Sequence, residues 1–427
     1  MFTPLVAACY YGVIIGMLLL WSSGNLPSVL RYPFAVLPFL PAIFVDKRWL
    51  LPSLFATVMV FSNMPENQFQ YNQLFYIGII GIVLIYYGIR DRQIMSPLEL
   101  APFALTWIYM MVVDFATDNA LLSCHRNLSV AVCTLWALGT GSQPSHKVEG
   151  QGRDCAYAFV IASVVISIVY WLNYDTYVED YGWETGLTRS FYKDPNYQGS
   201  IIGMGVVLAV WLLLNDKAAV WWQRILCAIG IAVPLITVFT LASRGALVAV
   251  VGVIILLILV SDTRKGHKAL VVLFGVMLVA YAYSHHYMDL VIARLHEQSM
   301  HTGAARLFIW ESKTDAFLRE TNPFHWLFGM GYRNAIELGQ FKLVLTTSNV
   351  AFHNQFLAVL VTYGLVGLAG FAALLWLPIH KAVKGNKMLT AVLISYLILV
   401  CMTLEPLTIG LPAFYFYYLF VYIQATR

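Results

Sequence analysis

"LASRGALVAVVGVIILLILV" (residues 241–260) puts an arginine, Arg244, at the mouth of an apolar run that carries no charge again until Asp262. As a helix rising 1.5 Å per residue, such a run is long enough to cross most of a bilayer's hydrocarbon core. A guanidinium at the rim of a membrane helix has two readings. It lies among the headgroups as an anchor, or it faces a ligand. Which reading holds depends on what else the chain brings to the same face.

Composition sets the class. Across 427 residues, 60% are hydrophobic, 15% aromatic and 11% charged, more apolar surface than a soluble domain can bury. The expected fold is all-α, a polytopic membrane helix bundle read as one domain over residues 1–427. The net charge of +4 is spread between apolar runs instead of forming a basic face, which argues against a nucleic-acid partner. The six cysteines lack the short paired spacings of a zinc site or disulfide framework and read as packing residues. The N-terminus has no basic stretch and no small-residue cleavage site, so its first apolar run is expected to remain as a helix.

Apolar segments of roughly spanning length fall near 4–21, 29–45, 50–64, 74–89, 100–117, 121–140, 156–174 and 198–214, then 220–241, 243–260, 268–284, 353–376, 387–404 and 411–424. Pro33, Pro38 and Pro41 suggest that some early segments are re-entrant or half-spanning, leaving about twelve true spans. Lys and Arg near helix ends stay on the cytoplasmic side. Lys47, Arg48, Arg90, Arg92, Lys147, Arg153, Lys217, Arg224, Arg264, Lys265, Lys268, Lys381, Lys384 and Lys387 all sort to one side, which is therefore expected to be cytoplasmic and to hold both termini. The short loops of the opposite face carry only Arg31, Arg126 and Arg244. Two long loops on that face, 175–197 and 285–352, are where function is expected. The larger is expected to be partly helical: residues 304–320, "AARLFIWESKTDAFLRE", place Leu307, Trp310 and Phe317 roughly on one face and Arg306, Lys313 and Arg319 elsewhere. Residues 322–332, "NPFHWLFGMGY", then read as a turn-rich return.

Positive-inside sorting disfavours arginine on this outer face, and Ser243 and Gly245 leave room around Arg244. Arg189 and Lys193 in one loop and Arg306 in the other add further cations. Such a set suits a phosphate or pyrophosphate at the membrane surface, because guanidinium contacts phosphate oxygens in bidentate fashion. His353 opens a membrane helix directly after the large loop. An imidazole near several guanidiniums is kept neutral and able to accept a hydroxyl proton, although a histidine at such a boundary also serves as a simple interfacial hydrogen-bonding group. Asp175, Glu179, Asp180 and Glu184 form an acidic run without metal-ligand spacing, and His285, His286, His296 and His301 form none either, so no metal is expected.

At these positions the chain resembles the O-antigen ligase and O-antigen polymerase superfamily. "FYKDPNYQGSIIGMG" (191–205) resembles the family's Asp-Pro-Asn element and "SRGALVAVV" (243–251) its Ser-Arg-Gly helix start. Residues 305–332 resemble its Arg-then-Trp helix followed by a Pro-to-Gly turn, here lengthened by "HWL", and "HNQFLAVLVTYGLVGL" (353–368) its His-Asn element. The resemblance implies twelve spans and a bacterial inner-membrane enzyme with its active site facing the periplasm. The implied reaction moves a glycan from an undecaprenyl-pyrophosphate donor to an acceptor hydroxyl with neither metal nor cofactor. For a ligase the acceptor is the lipid A core; for a polymerase it is another lipid-linked glycan. His353, Arg244 and Arg306 are then the catalytic candidates, and Arg189, Lys193, Asp194, Asn196 and Asn354 the donor-binding ones. A transporter of anionic lipid would need ionisable groups deep in the spans, whereas Asp114, Arg244 and Glu405 fall toward outer ends.

Overall fold

The computed structural model describes residues 4–22, 37–41, 97–118, 151–172, 195–296, 303–320, 322–338, 352–382, 387–406 and 412–425, with a few single positions besides. Among these residues the structure is helical, with no strand. The helices are α1 (Pro4–Ser22), α2 (Pro97–Asp118), α3 (Gln151–Leu172), α4 (Pro195–Asn215), α5 (Trp221–Thr240), α6 (Arg244–Val260) and α7 (Lys265–Ser284). There follow α8 (Asp289–His296), α9 (Gly303–Leu318), α10 (Pro323–Phe328), α11 (Tyr332–Glu337), α12 (Gln355–Lys381), α13 (Lys387–Cys401) and α14 (Pro412–Ala425). Five helices among the described residues are long and apolar enough to cross a membrane, and four shorter apolar helices accompany them. The expected count of about twelve is not confirmed by these, and the segments expected at 74–89 and 121–140, with most of 29–45 and 50–64, lie outside the described residues. The chain forms two compact units.

The first unit comprises residues 1–69, 144–296 and 388–396. Its hub is α4, nearly all of which is buried. Glycines make that burial possible, because without a hydrophobic driving force in lipid, helices associate through close van der Waals approach. A Cβ at Gly203 would lie 2.6 Å from Val250 of α6, and one at Gly205 would lie 2.1 Å from the Ser163 hydroxyl of α3. One at Gly230 of α5 would lie 2.4 Å from Val160. At one end of the unit, Asp216 accepts from the Tyr157 hydroxyl at 3.1 Å and pairs with Arg153 at 3.7 Å. The Thr263 hydroxyl donates to the Leu214 carbonyl at the same end. At the opposite end, Trp171 donates to Thr237 at 3.0 Å and the start of α6 meets the start of α4. Of the basic residues sorted together from the sequence, Arg153, Lys217, Arg224, Arg264, Lys265 and Lys268 are described in this unit and share one end of it, and Arg244 has the other. Helix α7 buries only Ala282, and its exposed sides are apolar, as suits a helix bathed in lipid.

The second unit comprises residues 70–143, 297–387 and 397–427. Its spine, α12, is interrupted at Gly364, where φ is 67° and ψ is −168°. A helix broken in an apolar setting must find new partners for its freed carbonyls. Here they come from two elements: Met330 N–H donates to the Val361 carbonyl at 3.1 Å, Gly331 N–H to Thr362 at 3.0 Å, and the Tyr109 hydroxyl of α2 to Tyr363 at 2.6 Å. The turn that delivers those amides depends on Gly329 and Gly331, both with positive φ. A Cβ at Gly331 would lie 1.8 Å from the Thr117 hydroxyl of α2. The Tyr363 hydroxyl in turn donates to buried Asp114 at 3.1 Å, and Tyr418 of α14 donates to the Leu374 carbonyl at 2.7 Å.

Gly364→Ala would place a Cβ 2.4 Å from the Leu327 backbone at a backbone angle unfavourable to alanine. It is expected to cost about 3 kcal/mol or more and to lower the melting temperature of the solubilised protein. Gly275→Ala in α7, which meets nothing within 4 Å, is the control and should leave the melt unchanged or raise it slightly, since alanine favours a helix interior over glycine.

Candidate functional site

Arg244 is the first residue of α6 and is half-buried. Ser243 caps that helix, its hydroxyl accepting from Ala246 N–H at 3.3 Å, and Ala242 before it turns the chain with a φ of 50°. A Cβ at Gly199 would lie only 3.1 Å from Ser243 Cβ, so the first turns of α4 and α6 are in contact. The Asp-Pro-Asn and Ser-Arg-Gly elements, far apart in sequence, are therefore neighbours. Asn196, half-buried in the first turn of α4, has its carbonyl engaged by the Ser200 hydroxyl at 2.8 Å. Both helices present N-termini here, where the positive ends of the helix dipoles favour an anion. Arg189, Lys193 and Asp194 lie outside the described residues.

In the second unit, His353 precedes the cap of α12 and is half-buried, with a φ of 50° that a non-glycine residue adopts only when its surroundings hold it there. Three side chains grip the Phe352–His353 peptide. Glu405 accepts the His353 N–H at 3.1 Å and also receives the Phe352 N–H. Trp310 of α9 donates its indole N–H to the Phe352 carbonyl at 2.8 Å. Lys313 of α9 stands over the Phe352 ring, 4.5 Å from its centroid, and donates to the carbonyls of Ala335, Ile336 and Leu338 at 3.3, 2.9 and 3.1 Å. Asn354 caps α12, its side-chain oxygen accepting from Leu357 N–H at 3.1 Å.

This arrangement reverses part of the face expected for residues 304–320. Leu307 is 62% exposed whereas Lys313 is 1% exposed, and the buried line runs Ile309, Lys313, Phe317. Amphipathic reading placed Lys313 on the solvated side because its carbonyl acceptors come from α11 and the residue after it, a partner invisible in local periodicity. Arg306, half-buried, is one turn before Trp310 on the stripe 306–310–313–317, and so falls on the side of α9 that turns toward the 352–353 peptide. Lys313 and Glu405 were absent from the expected site. The available signal was an ionisable residue just beyond an apolar helix, which in a membrane protein is a functional pointer.

Burial dominates the electrostatics of this pair. It pushes the Glu405 carboxyl up to about 7, opposed by the His353 and Phe352 N–H groups and by the Lys313 charge. It pushes the Lys313 ammonium down to about 8, opposed by Glu405. Each charge is thus disfavoured by desolvation and partly restored by its partner.

These observations define an all-helical membrane protein with an arginine at the start of one apolar helix and a tightly framed histidine at the start of another. Residues 228–372, about a third of the chain, match the family described as O-antigen ligase, which supports a likeness to the O-antigen ligase and polymerase superfamily. The matched segment contains Arg244, Arg306, Lys313 and His353. Members of that family are glycosyltransferase-like enzymes acting on lipid-linked glycans. No curated protein and no solved structure matches the chain.

The Glu405 charge is resisted by folding, so its penalty is absent below about 4.5 and complete above about 7. Stability is expected to fall across that interval as pH rises, by about 3 kcal/mol at most. The Lys313 penalty has the opposite sense: it is complete below about 8 and vanishes as pH rises to 10.5. Melts of the parent against pH should follow both slopes, and Glu405→Gln should flatten the acidic one. An unaltered acidic slope in that variant would mean that the carboxyl is solvated.

Proposed function

We propose that this protein is an O-antigen ligase of the bacterial inner membrane, acting at the periplasmic face in lipopolysaccharide biosynthesis. The observation that carries the reading is the framed His353 beside the Arg306 stripe of α9, within a segment of family sequence. The donor is an undecaprenyl-pyrophosphate-linked glycan and the acceptor a lipid A core sugar hydroxyl. The acceptor oxygen attacks the anomeric carbon as the bond from that carbon to the pyrophosphate oxygen breaks, and the leaving pyrophosphate carries away the electron pair. His353 takes the hydroxyl proton, and Arg244 and Arg306 stabilise the developing negative charge. Arg189, Lys193, Asp194, Asn196 and Asn354 bind the donor. The same donor chemistry with a lipid-linked glycan as acceptor would make the protein a polymerase, and an assay offering both acceptors to the purified protein separates the two.

Arg244→Lys and Arg306→Lys are expected to lose most transfer despite keeping the charge, because an ammonium cannot reproduce the planar two-pronged contact with phosphate. Arg224→Lys, at the other end of the first unit, should transfer normally. His353→Ala should lower turnover by ~10²–10⁴ while keeping donor affinity. Near-normal transfer by both arginine variants would return them to the headgroup-anchor reading.

Orientation is checked by cysteine labelling in intact cells. Position 315, exposed on α9, should react with a membrane-impermeant reagent and position 266 should not. The reverse pattern would invert the topology.

A further inference from the structure

Neither Glu405 nor Lys313 has a role in the reaction described above, yet both are almost wholly buried and both converge on the two residues that end at His353. Such burial of an acid and a base is costly unless each is well bonded. Glu405 is bonded to backbone N–H groups, and Lys313 to three backbone carbonyls that close α11. What the pair holds is a backbone conformation with φ of 50° at His353, the only one of the three positive-φ non-glycine residues of the chain's described part that lies in the second unit. Hydrophobic contact alone would bury Phe352 without selecting that turn. Directed N–H and cation–ring contacts do select it, because they fix the peptide plane and the ring together.

We infer that Glu405 and Lys313 are positioning residues that act through the Phe352–His353 backbone, aiming the His353 imidazole at the acceptor hydroxyl without contacting either substrate. The inference rests on the proposed role of His353. It says that the carboxylate and the ammonium set the geometry of the proton acceptor and leave the binding of the donor to other groups. A misplacement of about 1 Å in a reacting group costs on the order of 10²-fold in rate.

The test uses the full-length protein in detergent with a lipid-linked oligosaccharide donor and a lipid A core acceptor, each variant first confirmed as folded by its thermal melt. Glu405→Ala and Lys313→Met are expected to lower kcat by ~10–10² with donor KM within about twofold. Glu405→Gln, which keeps one oxygen for the His353 N–H, should recover much of the loss, and it supplies the measurement if the alanine variant does not fold. Combined with His353→Ala, neither substitution should lower the rate further, since the aim of an absent imidazole has no effect. A folded Glu405→Ala protein with parental kcat overturns the inference, as does a loss that multiplies that of His353→Ala. A raised donor KM at unchanged kcat also overturns it, placing the pair in donor binding. Full activity of His353→Ala is a separate outcome: it removes the proton-acceptor role of His353 and the positioning inference with it.

Discussion

The carbonyl oxygens of Val361, Thr362 and Tyr363 lose their partners within α12 once Gly364 turns the chain out of helical geometry. In an apolar environment an unbonded carbonyl costs several kcal/mol, so the break is tenable only because the chain returns to supply donors. That requirement explains the long Pro-to-Gly turn. Residues 323–331 deliver the Met330 and Gly331 amides, while Tyr109 reaches across from α2. It also explains why glycine occupies positions 329, 331 and 364, where a Cβ would strike backbone or side chain within 2.4 Å. The three additional residues "HWL" in the turn lie within α10, the helix that brings those amides into register.

The same docking fixes the loop helix α9 against the start of α12. Met330, Ala335, Phe352, Ala358, Val361 and Phe317 form one apolar cluster, and on its edge Trp310 and Lys313 engage Phe352. The mouth of α12 is consequently a rigid element, although it belongs to a segment that reads in sequence as a loop. Such rigidity would serve the proton acceptor proposed at His353, whose efficiency would depend on holding a nitrogen within hydrogen-bond reach of one hydroxyl.

Within the first unit the governing device is different. Glycines on α4 and α5 admit close neighbours, and the polar groups concentrate at the two ends. Arg244 shares its end with two helix N-termini, so the fixed partial charges of the backbone reinforce the guanidinium. An anion held there would meet pre-arranged positive potential, which needs no reorganisation when charge develops on it.

Residue type and periodicity were enough to read the helical class, most spans of the described part, and the gathering of Arg153, Lys217, Arg224 and Arg264 near the Arg153–Asp216 and Thr263–Leu214 end of the first unit. Those features are local: apolar length and charge near helix ends are properties of short stretches. The arginine, histidine and glycine elements were also legible, because their residue types and order carry a family resemblance that the match over 228–372 supports. The buried face of α9, the break at Gly364 and the roles of Lys313 and Glu405 were not legible. Lys313 reads as a solvated lysine until carbonyls 22 to 25 residues away close on it, and Glu405 reads as a stray acid until the His353 amide, 52 residues away, reaches its oxygen. Hydrogen bonds of that range leave no period in the chain, since only packing of separate helices brings their donors and acceptors together.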